Sequence, residues 1–214
     1  MKLLLITDSL GLPRLQPEIV HYNETWCYLV KKKLERQHNE IHQLSLGGGT
    51  VRCFLRQMSY LSLFEPDVVV VQSGLVDLAP RALTECEKYW INNFSITRRI
   101  MKLGGAGLIK ILRKRNVTYT SKVQFQNSVL EFSNLFREKL YWVSIIAAGD
   151  RYEKKIPGIR ENIVNYNKII KRILKERFID TSQVGSDCLM SDHHHLNVLG
   201  HQCLSELVIS SIYK

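Results

Sequence analysis

Lys2-Leu3-Leu4-Leu5-Ile6-Thr7-Asp8-Ser9-Leu10 is an apolar run that ends abruptly in a Thr-Asp-Ser turn. A strand buried on one face alternates apolar and polar residues. A continuous run such as Leu3–Ile6 is the pattern of a parallel strand covered on both faces. The same reading holds for Asp67–Gln72, whose four consecutive valines make the clearest strand in the sequence, with Ser73–Arg81 as the loop after it. Shorter strands are expected at Ile41–Leu46, Tyr141–Ala148 and Phe178–Asp180. Between them lie apolar residues at helical spacing. They cover Pro17–Gln37, then Val51, Leu55, Met58 and Leu61, then Val129 to Leu140, Ile163–Arg177 and Leu196–Tyr213. Pro17 suits the first turn of its helix. Strand and helix alternate throughout, which predicts an α/β fold with a mostly parallel sheet. In such sheets ligands bind outside the carboxyl ends of the strands, so the polar residues just past those ends have the best claim to chemistry.

A chain of 214 residues is long enough for one well-buried domain, read here as residues 1–214. Hydrophobic residues at 45% and charged residues at 23% exclude a disordered chain, and the five widely spaced cysteines (Cys27, Cys53, Cys86, Cys188, Cys203) contain no CxxC pair. A disulfide framework or zinc ribbon is therefore not expected. The run at Met1–Ile6 is too short for a signal-peptide core, and no apolar run reaches membrane-spanning length. With free thiols, the expectation is a cytoplasmic protein. The net charge of +10 favours anionic partners, and Lys88–Leu130 alone holds nine Lys/Arg and no acid. Residues of about 88–122 break the strand–helix alternation and read as a basic insertion. A solvated lid is the first reading of it. A peripheral membrane contact through 98–115, where basic residues interleave with Ile, Leu and Met, is the second. Nucleic acid is disfavoured, because few aromatics accompany the charges.

Four segments follow strand ends or open the last helix. They are Thr7-Asp8-Ser9-Leu10, Gly47-Gly48-Gly49-Thr50, Gly74-Leu75-Val76-Asp77 and Asp192-His193-His194-His195-Leu196-Asn197. Each has a bland reading. Ser9 alone would be a helix cap. The glycine turn lacks the following Lys-Ser/Thr of a nucleotide-binding loop. His193 and His194 read as loop or site rim, and His201 as a packed or capping residue on the last helix. No metal and no cofactor is expected.

Taken together and in this order, the four segments resemble the blocks of the SGNH/GDSL hydrolase superfamily. Asp8-Ser9-Leu10 is similar to the first block, with Thr7 where the family usually has Gly. Gly48-Gly49-Thr50 is similar to the second, Gly74-Leu75-Val76-Asp77 to the third, and Asp192 to His195 to the fifth. The resemblance implies a three-layer α/β/α fold with a flavodoxin-like parallel sheet. It implies Ser9 as nucleophile, His195 as base and Asp192 as the carboxylate that orients it. A serine hydroxyl needs such a base, and the base needs a fixed tautomer. The backbone N–H groups of Ser9 and Gly48 would form the oxyanion hole. Asp8, Gly74, Asp77, Arg14 and Arg81 are the candidate substrate-binding residues, although for Asp77 support of the site loops is the preferred role. Arg14 and Arg81 each follow a proline soon after a strand end.

One departure stands out. The third oxyanion donor of the family is an Asn, and its position here is Val76, which has no side-chain donor. The hole then works with two backbone donors, or another side chain such as Arg14 or Arg81 substitutes, or hydrolysis is poor and the substrate special. The activity implied is that of a serine esterase acting through an acyl-enzyme. Its expected substrate is a small-molecule or glycan ester with an anionic character, such as an O-acetyl group of a glycan or glycolipid precursor. An O-acyltransferase with the same triad and a non-catalytic binding protein on this scaffold are the alternatives.

Overall fold

The apolar runs do form strands. In the computed structural model, which describes residues 1–35, 39–94, 99 and 115–213, β1 (Lys2–Thr7), β2 (Glu40–Ser45), β3 (Val68–Gln72), β4 (Leu140–Val143) and β5 (Phe178–Ile179) form one sheet. All four pairings are parallel and the order is β2-β1-β3-β4-β5. The central pair runs in register from Leu3 opposite Val68 to Thr7 opposite Gln72. The helices are α1 (Trp26–Glu35), α2 (Val51–Leu55), α3 (Met58–Leu61), α4 (Leu75–Leu78), α5 (Glu85–Asn93), α6 (Lys122–Phe136), α7 (Asp150–Lys155), α8 (Ile159–Leu174) and α9 (Val198–Ile212).

Period-two alternation divides the sheet residues between two cores. Leu4, Ile6, Val69, Val71, Leu140 and Trp142 pack with residues of α2, α6 and α8. Leu3, Leu5, Val70, Val143 and Ile179 pack on the other face with residues of α1 and α9. Each fully buried aliphatic or aromatic side chain contributes roughly 1.5–3 kcal/mol, and both faces of β1 are shielded from water, which is why that strand carries no polar residue between Lys2 and Thr7. The result is the expected three-layer α/β/α sandwich. From β1 the chain winds one way to β2 and then crosses back to β3. The carboxyl ends of β1 and β3 therefore flank the switch point, where a doubly wound sheet opens a crevice.

Four boundaries differ from the sequence reading. Helix α1 begins at Trp26, not near Pro17, because the Thr25 hydroxyl accepts the Tyr28 N–H (3.4 Å) and caps it there. The preceding segment is a bridge between Arg14 and Val20 and a short 3₁₀ turn at Tyr22–Glu24. Strand β4 stops at Val143 rather than Ala148. The Asn167 side chain takes both the N–H and the C=O of Ile145 at 2.8 Å, so α8 replaces the next strand as the partner of that backbone. Helix α8 starts at Ile159, four residues early, where the Glu153 carboxylate accepts from the N–H groups of Gly158 (2.7 Å) and Arg160 (3.0 Å). The basic insertion opens with α5, capped reciprocally by Thr84 and Glu87. Most of the stretch read as a membrane contact, 98–115, lies outside the described residues, which there include only 99 and 115.

Candidate active site

The turn after β1 presents Ser9. Asp8 caps a 3₁₀ turn over Ser9–Gly11 by accepting the Leu10 N–H at 3.0 Å, and its own N–H bonds to Gln72 O at the end of β3 (3.0 Å). The Ser9 position is thus tied to both central strands. A second loop comes from the other end of the chain. Leu189 and Leu196 form a bridge, Met190 N–H bonds to His195 O (2.8 Å), and His193 takes a left-handed conformation (φ 67°) between them. Asn197 then caps α9 at the Gly200 N–H (2.9 Å) and donates to the carbonyls of Asp187 and Leu189.

These loops bring Ser9, His195 and Asp192 into one hydrogen-bonded chain. Ser9 Oγ lies 3.3 Å from His195 Nε2, and His195 Nδ1 lies 2.6 Å from Asp192 Oδ2. The other oxygen of Asp192 accepts the backbone N–H groups of His194 (3.1 Å) and His195 (3.0 Å). Burial pushes the Asp192 carboxyl upward, but the His195 ring and the two backbone donors outweigh it and hold it down at about 2. Burial of His195 is the larger influence there and lowers it to about 4 in spite of Asp192. At neutral pH the pair is therefore a carboxylate beside a neutral imidazole. Its Nδ1–H points to Asp192, and the Nε2 lone pair is free for a serine proton.

Beside this chain, Tyr152 of α7 stacks on His194 at 5.0 Å and 10°, and His194 lies 3.9 Å from the His195 ring. Nothing in the local sequence motif marks Tyr152. Only the amphipathic spacing of Tyr152 with Ile156 and Ile159 would have placed it inward. Asp192, His194 and His195 also bring donor atoms within 4.8 Å of one another. The Asp192–His195 contact already occupies two of the three donors, so this cluster is the same Asp-His pair with His194 alongside. His201 caps a helix: its Nδ1 accepts the Trp26 N–H of α1 at 3.1 Å.

The other expected residues divide into two groups. Gly48 lies in the turn after β2 at φ +72°, exposed, with no neighbour within 4 Å of where a Cβ would stand, while a Cβ on Gly47 would lie 3.5 Å from Leu12 Cδ1, just past the Ser9 turn. The glycine turn is thus near the Ser9 turn. Asp8, Gly74 and Asp77 are all buried against neighbouring parts of the fold. Asp77 is fully buried and accepts from Val51 N–H (3.0 Å) and Thr120 Oγ1 (2.5 Å), tying the N-terminus of α2 to the loop before α6. Burial pushes its carboxyl up to about 7, against the Thr120 and Val51 bonds. Asp8 is 1% exposed and pushed up to about 6 by the same cause. Gly74 sits at φ +135°, where a Cβ would come 2.6 Å from Ile145 Cδ1. Packing fills the space a ligand would need. Val76 is partly exposed and supplies no donor.

Arg14 and Arg81 are each held by a backbone bridge. Arg14 exchanges two hydrogen bonds with Val20 (2.9 and 2.8 Å), and Arg81 N–H bonds to Val117 O (2.8 Å). The Arg81 guanidinium lies over the Tyr119 ring at 4.6 Å.

No protein-family model matches the sequence, and no curated protein sequence matches it. Solved structures do match. A lipase/acylhydrolase from Enterococcus faecalis superposes with a TM-score of 0.68 at 15% identity, over 99% of this chain and 94% of that one. The acetyl xylan esterase AlAXEase gives 0.65 at 15%, over 99% and 100%. An acetyl xylan esterase variant from Geobacillus stearothermophilus gives 0.65 at 17%, over 99% and 94%. At these identities the likeness is one of fold.

Proposed function

We propose that this chain, which has the SGNH/GDSL-type hydrolase fold, is a serine ester hydrolase that removes a short acyl group from a sugar hydroxyl. The observation that carries the reading is the continuous chain from Ser9 Oγ through His195 to Asp192 at 3.3 and 2.6 Å. Ser9 Oγ attacks the ester carbonyl and passes its proton to His195 Nε2. Asp192 keeps the ring in the Nδ1–H tautomer and stabilises the imidazolium that forms. The oxyanion is met by the N–H groups of Ser9 and Gly48. His195 returns the proton to the leaving alcohol oxygen as the C–O bond breaks, leaving an acyl-Ser9 ester. Water then attacks that ester, with its proton taken by His195, and the acid and free Ser9 are released.

The likeness in fold to solved acetyl xylan esterases supports a short acyl group. The test is acetate release from acetylated sugars and from 4-nitrophenyl acetate, compared with the butanoate and octanoate esters. Acetate release by wild type and none by Ser9→Ala supports the reading. Equal rates for the two proteins overturn it.

A further inference from the structure

Two side chains that take no part in the proton transfer are built against the base. His194 packs on His195, with ring centroids 3.9 Å apart at 46°. Tyr152 packs on His194 in turn, 5.0 Å away and nearly parallel at 10°. The three rings are thus in serial contact, and the series ends at the imidazole whose Nε2 faces Ser9 Oγ.

Each member of the series is fixed. His194 is tied twice to Asp192. Its backbone N–H donates to Asp192 Oδ1 (3.1 Å), and its ring Nδ1–H donates to the Asp192 carbonyl (3.2 Å). Tyr152 is 4% exposed and belongs to the hydrophobic core that includes Ile145, Ile159 and Ile163. Its helix α7 is locked to α8. Glu153 accepts the N–H groups of Gly158 and Arg160, and Arg160 Nε donates to Ala148 O at 2.9 Å.

The polar holds on the His195 ring are Asp192 at Nδ1 and Ser9 at Nε2. Two such bonds fix the nitrogens but leave the ring free to rock about the line that joins them. A ring packed 3.9 Å away blocks that motion. Burial lowers the His194 pKa in spite of Asp192, so at neutral pH the neighbouring ring is uncharged and does not repel the imidazolium that forms on His195.

We infer that His194 and Tyr152 are positioning residues that brace the His195 ring against Asp192, with Tyr152 setting His194 and His194 setting the base. The inference rests on the esterase reading for its effect on rate, but not for its effect on the ring.

The test takes wild type, Tyr152→Leu, Tyr152→Phe, His194→Ala and His194→Phe through fluorophosphonate labelling over a range of probe concentrations. The maximal labelling rate of Tyr152→Leu is expected to fall about 3–10-fold, the factor that an aromatic pair of ordinary strength is worth, with little change in the concentration at half-maximal rate. His194→Ala loses at least as much. Tyr152→Phe and His194→Phe recover most of the rate, because each keeps a ring in the series. Melting temperatures matched to wild type separate lost positioning from lost folding. Should Tyr152→Leu fail to fold, the two His194 variants, on a partly exposed loop, carry the comparison. Wild-type maximal rates in the folded Leu and Ala variants overturn the inference, and so does a loss that the Phe variants share in full.

Should wild type itself stay unlabelled, the esterase reading fails, and the brace is decided without activity. Long-range proton–nitrogen correlation spectra of the imidazoles show which nitrogen of His195 carries the proton. The expected result is Nδ1–H alone in wild type and a mixture of Nδ1–H and Nε2–H in His194→Ala, since a ring free to leave Asp192 takes both forms. Identical His195 signals in the two proteins overturn it.

Discussion

Ser9, His195 and Asp192 are 186 and 3 residues apart along the chain, yet they lie within 3.3 and 2.6 Å of contact. Their roles make sharp predictions at the level of single side chains. Ser9→Ala is expected to abolish ester cleavage, a loss of at least about 10⁴-fold, and Asp192→Asn to cost about 10⁴-fold by favouring the wrong tautomer; progress curves with 4-nitrophenyl acetate check both. The pH profile follows from His195. Its folded pKa is lowered by burial to about 4, so the imidazole stays a competent base well below 6.5 and is lost as pH falls through about 4. The acid limb of kcat/KM should therefore inflect near 4. An inflection at 6.5 or higher would contradict this. The grouping of Ser9, His195 and Asp192 was legible through the resemblance of Asp-Ser-Leu and Asp-x-x-His to two blocks of the superfamily, since Ser9 alone reads as a helix cap. Tyr152 was not, since its stack on His194 depends on how α7 packs rather than on any spacing near the histidines.

At the scale of elements, the strands were read well where burial is two-sided and less well where side chains replace ladder partners. Leu3–Ile6 and Val68–Val71 are paired throughout, and all but Val68 are buried. The overlong expectation for β4 failed because Asn167, far along the chain, takes over the hydrogen bonds of Ile145. The early start expected for α1 has the opposite cause: Thr25 is a legible cap, and Pro17 is not the first turn of this helix. Thr84-Glu85-Cys86-Glu87 was an equally readable capping box just before the basic insertion. The β3–α4 junction gives the test at this scale. Gly74 combines φ +135° with a would-be Cβ contact of 2.6 Å to Ile145. Gly74→Ala should lower stability by about 2–4 kcal/mol, through backbone strain and overpacking together. Urea denaturation measures it, and a change under 0.5 kcal/mol would mean that the junction relaxes freely.

For the molecule as a whole, the carboxyl end of the sheet is a layer of buried polar groups beneath a small site. Asp77 binds Val51 and Thr120 and so joins the second and third loops of that end, and Asp8 lies under the nucleophile. Both carboxyls are raised by burial, to about 7 and about 6. The sign follows. Between the unfolded value near 3.8 and these folded values, the native state holds protons that the unfolded chain has lost, so their contribution to stability diminishes as pH rises through that window. Asp77→Asn lacks this penalty. Its melting temperature relative to wild type should improve between pH 5 and pH 8, and a difference independent of pH would show that Asp77 is ionised in the fold at both. The +10 charge was visible from composition, whereas the bridges that tie Arg14 to Val20 and Arg81 to Val117 emerge only from the folded chain.

The central claim is that Ser9 is a nucleophile activated by His195 and Asp192. Incubation with a fluorophosphonate probe followed by intact mass tests it most directly, on wild type, Ser9→Ala and His195→Ala. The account predicts one adduct on wild type, none on Ser9→Ala and a greatly slowed reaction on His195→Ala. A folded wild-type protein that stays unlabelled, or a Ser9→Ala variant labelled as fast as wild type, would contradict it.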